Sequence, residues 1–271
     1  MRSANAARGA GNWDGCHGTG SGSHGAKDRG QFTFRHHRAK LRAYRPKSKL
    51  SPILPEFAMP RIARLVVPNV PHHVTQRGNR REPVFFEDGD QARYLAFLKA
   101  GAHDSKTALW AYCLMPNHVH LIVAPSHKDG LRDMLAEAHR QYTNFINWRH
   151  GWTGHLWQGR FGSVAMEEDH LGQAVRYVAQ NPVRAGLVKA PEDWRFSSVR
   201  AHLSGQSDGF VDVEPVLARF PDFGALIGTG EKTGEFDRLR RAETSGRPLG
   251  SGKWLETLEE MTGRSLKRAS R

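Results

Sequence analysis

Two histidines alternate with aliphatic residues in a short apolar stretch of this sequence. His118 and His120 lie in the segment NHVHLIV, which is rich in β-branched and aliphatic residues and follows the turn-forming sequence MPN. On a β-strand, side chains two positions apart leave the same face, so both imidazoles are predicted to point in one direction, about 7 Å apart at the backbone. Two such imidazoles supply half of a metal site. For this motif alone, a pair of ordinary sheet histidines is an equal alternative.

A metal site of this kind needs a third ligand and a reaction to serve, and one later helix offers candidates for both. Tyr177 and Asn181 stand four residues apart on that predicted helix and therefore share a face. The apolar stripe of the helix is centred about 120° from Tyr177, which predicts that this tyrosine is available for chemistry. Tyr142 lies at the middle of the apolar stripe of its own helix and is predicted to be structural. Taken singly, Tyr177 as an edge aromatic and Asn181 as a helix cap are the simpler interpretations, but with the two histidines they form a chemically complete set.

The elements that must position these residues follow the order strand, helix, hairpin, helix, strand, helix. Besides the histidine strand, the patterns predict strands at 72–76, 108–114 and 163–166 and helices at 88–104, 130–149 and 167–181. Pro182 disfavours helical geometry at the residue before it, so the last helix is predicted to end at Asn181. This order predicts an α+β fold, an antiparallel sheet with helices on one face.

Composition predicts three regions in the chain of 271 residues. Residues 1–58 are rich in Gly, Ser, His and Arg and are predicted to be a disordered basic tail. Residues 59–206 have the apolar periodicity of a globular domain, and residues 207–271 are predicted to be a small accessory extension or a tail that docks on the core.

The charge balance points to a polyanionic partner. The net charge of +13 and the pI near 10.2 favour nucleic acid over a membrane as that partner. The two cysteines are far apart, so neither a disulfide framework nor a thiolate metal cluster is indicated. Without an apolar leader or a long apolar run, the protein is expected to be cytoplasmic and associated with the nucleoid.

Taken together, the motifs resemble the REP-associated tyrosine transposases, a branch of the IS200-like, HUH single-strand transposases. The matching pieces, in order, are MPRIARLVVPNVPHHVTQRGNRR, MPNHVHLI, GHLWQGRF, YVAQNPVRAGLV and DWRFSSVRAHL. They span about Met59 to Leu203, and the joint pattern is far more specific than any one piece. The sequence GRPLGSGKWLETLEEMTGRSL also resembles C-terminal extensions of some members.

The resemblance implies a ferredoxin-like core and a tyrosine that cuts one strand of DNA through a 5′-phosphotyrosine intermediate. It assigns the nucleophile to Tyr177 and a divalent metal to His118, His120 and Asn181. The metal is expected to be Mn²⁺ or Mg²⁺, because imidazole ligands suit the former and cellular abundance favours the latter. The implied target is single-stranded DNA, in particular hairpin-forming repeats, and the implied assembly is a monomer or a homodimer.

Basic and aromatic residues near these motifs are candidates for contacts with the DNA. Trp157 and Phe161 can stack on unpaired bases, although core packing explains them at least as well. For each basic candidate, a solvated surface charge is an equal alternative to a contact with phosphate or a base edge. The predicted DNA-binding residues are Arg77, Arg80, Arg81, Arg160 and Arg184.

Two other functions are compatible with parts of the pattern. The first is a domesticated DNA-binding protein that recognises palindromic repeats without transposition. The second, a metal-dependent hydrolase or cupin, requires acidic or histidine ligands soon after the histidine pair. Leu121, Ile122 and Val123 stand there instead, which disfavours that second class.

Overall fold

The computed structural model describes residues 64–228, 234 and 236–266 of the protein. The predicted disordered tail at 1–58 lies outside the described residues. Within the described part of the chain, no helix is long and apolar enough to cross a membrane.

A four-stranded sheet forms the centre of the fold, with the order β2-β3-β1-β4 and antiparallel pairing between all neighbours. Two helices connect its strands in the sequence β1-α1-β2-β3-α2-β4, which is the ferredoxin-like arrangement, so the predicted α+β fold is confirmed. The elements are β1 (His72–Arg77), α1 (Asp90–Asp104), β2 (Thr107–Met115), β3 (His118–Pro125), α2 (Gly130–His150) and β4 (Gly162–Ala165).

Helices cover both faces of the sheet, where the sequence predicted them on one. The first two helices pack on the face that carries Val74, Leu121 and Val123, as expected. A third helix, α3 (Glu168–Arg184), packs on the opposite face against residues such as Ile122. The physical reason is that both faces of β2 and β3 carry apolar side chains, so water has to be excluded from both.

The third helix also continues beyond the predicted end. Pro182 lies inside α3, which runs to Arg184 and is closed by a hydrogen bond from the Ala185 N–H to the Asn181 carbonyl (3.0 Å). Proline removes one backbone hydrogen bond, but Val178 and Ala179 are buried in the core just before it, and this packing maintains the helix. Asn181 therefore lies within the last turn of α3 rather than at its end.

Residues after 206 dock on the core as a series of short helices. Phe223, Phe236 and Leu239 are buried in the same apolar cluster as α3, and Leu258 packs against the start of the described chain. The division of the chain into a domain at 59–206 and an accessory extension at 207–271 stays a prediction. The remaining helices are α4 (Val199–Ser204), α5 (Glu214–Leu217), α6 (Phe223–Gly228), α7 (Asp237–Ser245) and α8 (Gly252–Thr262).

Candidate active site

A pocket opens on the α3 face of the sheet, where β1 and β3 meet the end of α3. Each of these elements contributes polar side chains to it, and α7 contributes one more. The lining residues are Thr75, Gln76, Arg77, His118, His120, Tyr177, Asn181, Arg184, Ala185 and Glu243. The structure thus brings together in one pocket the two histidines, the tyrosine and the asparagine that the sequence singled out.

The alternation of β3 places both histidines on the pocket side. His118 pairs with Arg77 of β1, and His120 pairs with Thr75. The intervening Val119 and the following Leu121 turn to the opposite face and are fully buried under α1 and α2. The two imidazole centroids are 4.9 Å apart, and His120 is only 3% exposed.

A turn residue fixes which nitrogen of His118 faces the pocket. Its Nδ1 lies 2.6 Å from the side-chain amide oxygen of Asn117. The side-chain amide nitrogen of Asn117 donates to the Arg81 carbonyl (2.9 Å), which fixes the orientation of that amide. An amide oxygen can only accept, so we assign the hydrogen of His118 to Nδ1. Its Nε2 therefore retains the lone pair that a metal ligand requires.

Tyr177 lies beside the histidines but is more buried than the sequence predicted. Its ring centroid is 5.6 Å from that of His120 and 5.2 Å from that of Phe236, and the residue is only 5% exposed. The C-terminal segment, through Phe236, covers a face of α3 that periodicity had assigned to solvent. Asn181 is 8% exposed, and its amide nitrogen has no hydrogen-bond partner within the described residues.

Burial and nearby charges keep the two imidazoles neutral and set the pKa of the Tyr177 phenol. Burial, and then the charge of Arg77, lowers the pKa of His118 to about 4, and burial holds the pKa of His120 well below its usual value. Both histidines are therefore in the ligand form at neutral pH. Burial and then the charge of Glu243 raise the pKa of Tyr177, while Arg184 lowers it. The guanidinium carbon of Arg184 is 4.5 Å from the Tyr177 ring centroid.

Two further polar residues at the site were missed by the sequence reasoning. His73 of β1 is 1% exposed, and its Nε2 lies 3.0 Å from Nδ1 of His120. Glu243 of α7 places Oε1 3.3 Å from Nδ1 of His73. Burial raises the pKa of Glu243 to about 7, against the opposing charges of Arg184, Arg77 and Arg240. Nothing in the spacing of either residue indicated a link with the β3 histidines.

Two overlapping sets of these residues have the types of donor atom that metal sites use. His73, His120 and Glu243 have ligand atoms within 4.8 Å of one another. His73 is buried and does not line the pocket, whereas His120 and Glu243 do. His118, His120 and Asn181 all line the pocket, and two imidazoles with one amide oxygen suit a divalent ion such as Mn²⁺ while leaving coordination positions open.

The five predicted DNA-binding arginines surround the pocket or stand on two adjoining loops. Arg77 and Arg184 line the pocket itself. Arg80 and Arg81 are exposed on a short 3-10 turn (Asn79–Arg81). Arg160 is exposed on the loop that pairs with this turn through the hydrogen bonds Gln158 N–H to Arg77 O and Asn79 N–H to Leu156 O, both 2.8 Å.

The two aromatic candidates for base stacking belong to the core. Trp157 is 7% exposed and packs against His139 and Tyr94, with ring centroids 4.6 Å and 5.7 Å away. Phe161 is 9% exposed, and the guanidinium of Arg64 lies 3.7 Å over its ring. Core packing therefore explains both residues.

Comparison with known proteins gives a consistent result. The family model described as "Transposase IS200 like" matches residues 66–181. A REP-associated tyrosine transposase of Escherichia coli is 26% identical over 121 residues, covering 44% of this chain and 70% of that protein. A Haemophilus influenzae protein described as a REP-associated tyrosine transposase is 28% identical over 99 residues, covering 32% of this chain and 56% of its own length.

The comparison with solved structures includes a match to a member of the same group of relatives. It is a REP-associated tyrosine transposase bound to a REP hairpin, 22% identical, with a TM-score of 0.47, covering 56% of this chain and 87% of the other.

Proposed function

We propose that this protein is a DNA transposase that cleaves and rejoins single-stranded DNA, a proposal supported by the match of residues 66–181 to the IS200-like transposase model. In this proposal Tyr177 is the nucleophile, and His118, His120 and Asn181 hold a divalent metal. The target is a hairpin-forming repeat, in keeping with the REP-associated relatives.

The observation that supports this proposal most directly is the position of the phenol. Tyr177 and His120 come from elements more than fifty residues apart, yet their rings are 5.6 Å apart in a shared pocket. The same pocket holds two neutral imidazoles and the buried Asn181 amide, whose nitrogen lacks a partner within the described chain. Packing of a purely structural tyrosine does not account for these groups. One chain supplies all four groups, so the proposed chemistry requires no second copy.

The pocket residues have separable tasks. A bound Mn²⁺ or Mg²⁺ would neutralise charge on the scissile phosphate and orient it. His118 and His120 would present Nε2 atoms to that ion from the rigid sheet, and Asn181 would present its amide oxygen from α3. Arg77 at the pocket wall would bind a non-bridging or neighbouring phosphate oxygen.

Tyr177 would carry out the covalent step. Its phenol loses a proton, and the oxygen attacks the phosphorus of the scissile phosphodiester. The bond from phosphorus to the 3′ oxygen breaks, giving a 5′-phosphotyrosine and a 3′-OH that takes up a proton. Arg184 stabilises the phenolate, because its cation lies close to the ring. The covalent bond retains the phosphodiester energy, so rejoining needs no ATP.

A covalent adduct provides the test. The protein is incubated with labelled hairpin-containing single strands and Mn²⁺ or Mg²⁺, and adducts are detected by denaturing gel and mass spectrometry. The wild type is expected to form an adduct on Tyr177, and Tyr177→Phe is expected to form none while still binding the DNA.

Tyr142→Phe is the matched control, because it removes a buried phenol from the opposite side of the sheet. It is expected to retain adduct formation. Hairpin binding by the wild type without an adduct in either metal would instead identify a DNA-binding protein without transposase chemistry. Unchanged cleavage by Tyr177→Phe would overturn the assignment of the nucleophile.

A further inference from the structure

Three aromatic side chains, Phe86, His150 and Trp152, form an exposed aromatic patch where α2 ends. The rings of His150 and Trp152 are stacked, with centroids 4.4 Å apart and planes 20° from parallel. Phe86 contacts these two rings in edge-to-face geometry, at 5.2 Å and 5.4 Å. Trp152 is nevertheless 49% exposed, and Trp148 on the last turn of α2 is 80% exposed. A group of aromatic rings left open to water, in contrast to a single ring, is typical of a binding surface.

Hydrogen bonds hold both members of the stacked pair in place. Arg149 Nε donates to His150 Nε2 (3.3 Å), and the guanidinium of Arg149 is itself paired with the buried Asp90. The Trp152 N–H donates to the Asn147 carbonyl (2.8 Å), which anchors the chain just after the helix. Because the backbone and the supporting ring are fixed in advance, little conformational entropy is lost when a flat ligand stacks on Trp152.

The two loops beside the aromatic patch carry an excess of positive charge, and Trp152 belongs to one of them. Residues 79–82 and 151–161 contain three arginines, all exposed, and one acidic residue. The arginines are Arg80, Arg81 and Arg160. Aromatic rings beside cationic side chains complement a ligand that has flat apolar faces and a negatively charged backbone, and unpaired nucleic acid is such a ligand.

Hydrogen bonds also join these loops to the wall of the active-site pocket. The Gln158 N–H donates to the carbonyl of Arg77 (2.8 Å), and the Asn117 side-chain amide donates to the carbonyl of Arg81 (2.9 Å). Arg77 lines the pocket, and Asn117 also contacts His118, which lines it as well. The loops that bear the arginines therefore connect the pocket with the aromatic patch.

We propose that Trp152, supported by the stacked ring of His150, binds an unpaired base in the single-stranded segment that flanks the DNA hairpin. The inference rests on the function proposed above, because it takes single-stranded DNA as the ligand. Stacking uses the π face that every base has, so Trp152 is expected to select unpaired over paired bases and to discriminate little among the four. Trp152 is a binding residue and takes no part in the covalent step.

The test compares the affinity of the full-length protein for two labelled hairpins, one with single-stranded flanks and one with a blunt end, without added metal. Trp152→Ala is expected to bind the flanked hairpin about 5–100-fold more weakly than the wild type, which is the range for loss of one stacked base. Trp152→Phe keeps an aromatic face and is expected to lose less than about threefold. On the blunt hairpin all three proteins are expected to bind alike.

Met261→Ala is the matched control, because it removes another exposed apolar side chain, from α8. It is expected to bind both hairpins as the wild type does, and melting curves show whether each variant is folded. Unchanged affinity of folded Trp152→Ala for the flanked hairpin would overturn the proposal. Equal losses on the flanked and the blunt hairpin would overturn it as well, because they would reveal a role that does not depend on unpaired bases.

Photo-crosslinking tests the same contact in the unaltered protein. Iodouracil is placed at each single-stranded position in turn, and the cross-linked residues are identified by mass spectrometry. A cross-link to Trp152 or His150 is expected from one of the flank positions. Cross-links that all map outside the aromatic patch would contradict the proposed stacking.

Adduct formation on the flanked hairpin, measured with metal, separates this inference from the proposed function. Binding that depends on Trp152 without any adduct would support the stacking role and refute the transposase chemistry. An adduct on Tyr177 together with binding that is independent of Trp152 would refute only the stacking role. Self-association that is lost in Trp152→Ala while DNA binding is unchanged would refute it too, by assigning the aromatic patch to a second copy of the chain.

Discussion

Arg184 offers a quantitative test of how the site activates its tyrosine. We consider Arg184→Met, which keeps the length of the side chain and removes the cation 4.5 Å from the Tyr177 ring centroid. At that separation, two unit charges interact by about 4 kcal/mol at an effective dielectric constant of about 20. Arg184 is partly exposed, so solvent and salt screen some of this attraction, and we expect about 1–2 kcal/mol to remain.

This magnitude translates into a rate and a pH profile. Burial and the charge of Glu243 raise the pKa of Tyr177, and in Arg184→Met the nearby positive charge that opposes them is gone. The folded-state pKa of the phenol therefore moves further up, and the phenolate fraction at a given pH falls. We expect adduct formation at neutral pH to slow about 5–30-fold, and the rise of rate with pH to shift by about one unit to higher pH.

The assay is single-turnover adduct formation at saturating DNA, followed from pH 6 to 10. Saturation matters because Arg184 was also predicted to bind DNA, and a pure binding role would raise the apparent Kd and leave the saturating rate and its pH profile unchanged. That result would refute the activation role. Lys189→Met removes an exposed positive charge shortly after the same helix and serves as the control.

Two predictions concern the stability of the scaffold. Arg149 forms a two-pronged ion pair with Asp90 (2.7 and 2.8 Å), whose side chain is 2% exposed and also accepts hydrogen bonds from the Phe86 and Glu87 N–H groups. Arg149→Met removes the opposite charge but leaves those two bonds, so it is expected to lower the free energy of unfolding by about 3 kcal/mol in chemical denaturation, near the lower end for breaking a buried ion pair. Asp90→Asn in that background is expected to recover part of the loss, and an unchanged unfolding midpoint in Arg149→Met would contradict this. His72 is fully buried, and burial lowers its pKa to about 4, so between about pH 6.5 and 4 the unfolded chain binds a proton that the folded protein does not. As the pH falls through that window, this histidine lowers the free energy of unfolding by about 1.4 kcal/mol per pH unit. His72→Gln is expected to reduce the dependence of the unfolding free energy on pH by that amount, and equal slopes for the two proteins would show that His72 is not responsible.

The strands and helices of the ferredoxin-like core were readable from local pattern. Alternation in β3 and the 3.6-residue spacing in α2 are strong signals because each element buries a regular set of apolar side chains. Because of Pro182, the end of α3 was predicted too early. The local preference of proline is weaker than the packing of Val178 and Ala179, which continues the helix. The covered second face of the sheet was also foreseeable in part, because Ile122 and Cys113 are apolar residues on that side.

The four groups that meet in the pocket were named from residue type and spacing, supported by the resemblance. Their roles stay predictions until adduct formation and metal binding are measured. His73 and Glu243 could not be found in this way. Their relation to His120 depends on the pairing register of β1 with β3 and on where a short C-terminal helix docks, and neither is encoded in a local pattern.

The burial of Tyr177 escaped prediction for the same reason. Helical periodicity shows which side of α3 is apolar, but it does not show that Phe236, almost sixty residues later, covers another side.

The strict alternation of β3 ties correct folding directly to the capacity for chemistry. A slip of one residue in the pairing of β3 with β1 would send both imidazoles into the aliphatic layer beneath the first two helices and turn Val119 and Leu121 toward the pocket. Molecules with that error would have neither imidazole in the pocket, so the proposed metal site would be absent from them and not merely weakened. In a population of refolded protein, loss of activity should therefore appear as a smaller number of competent molecules, each working at full speed.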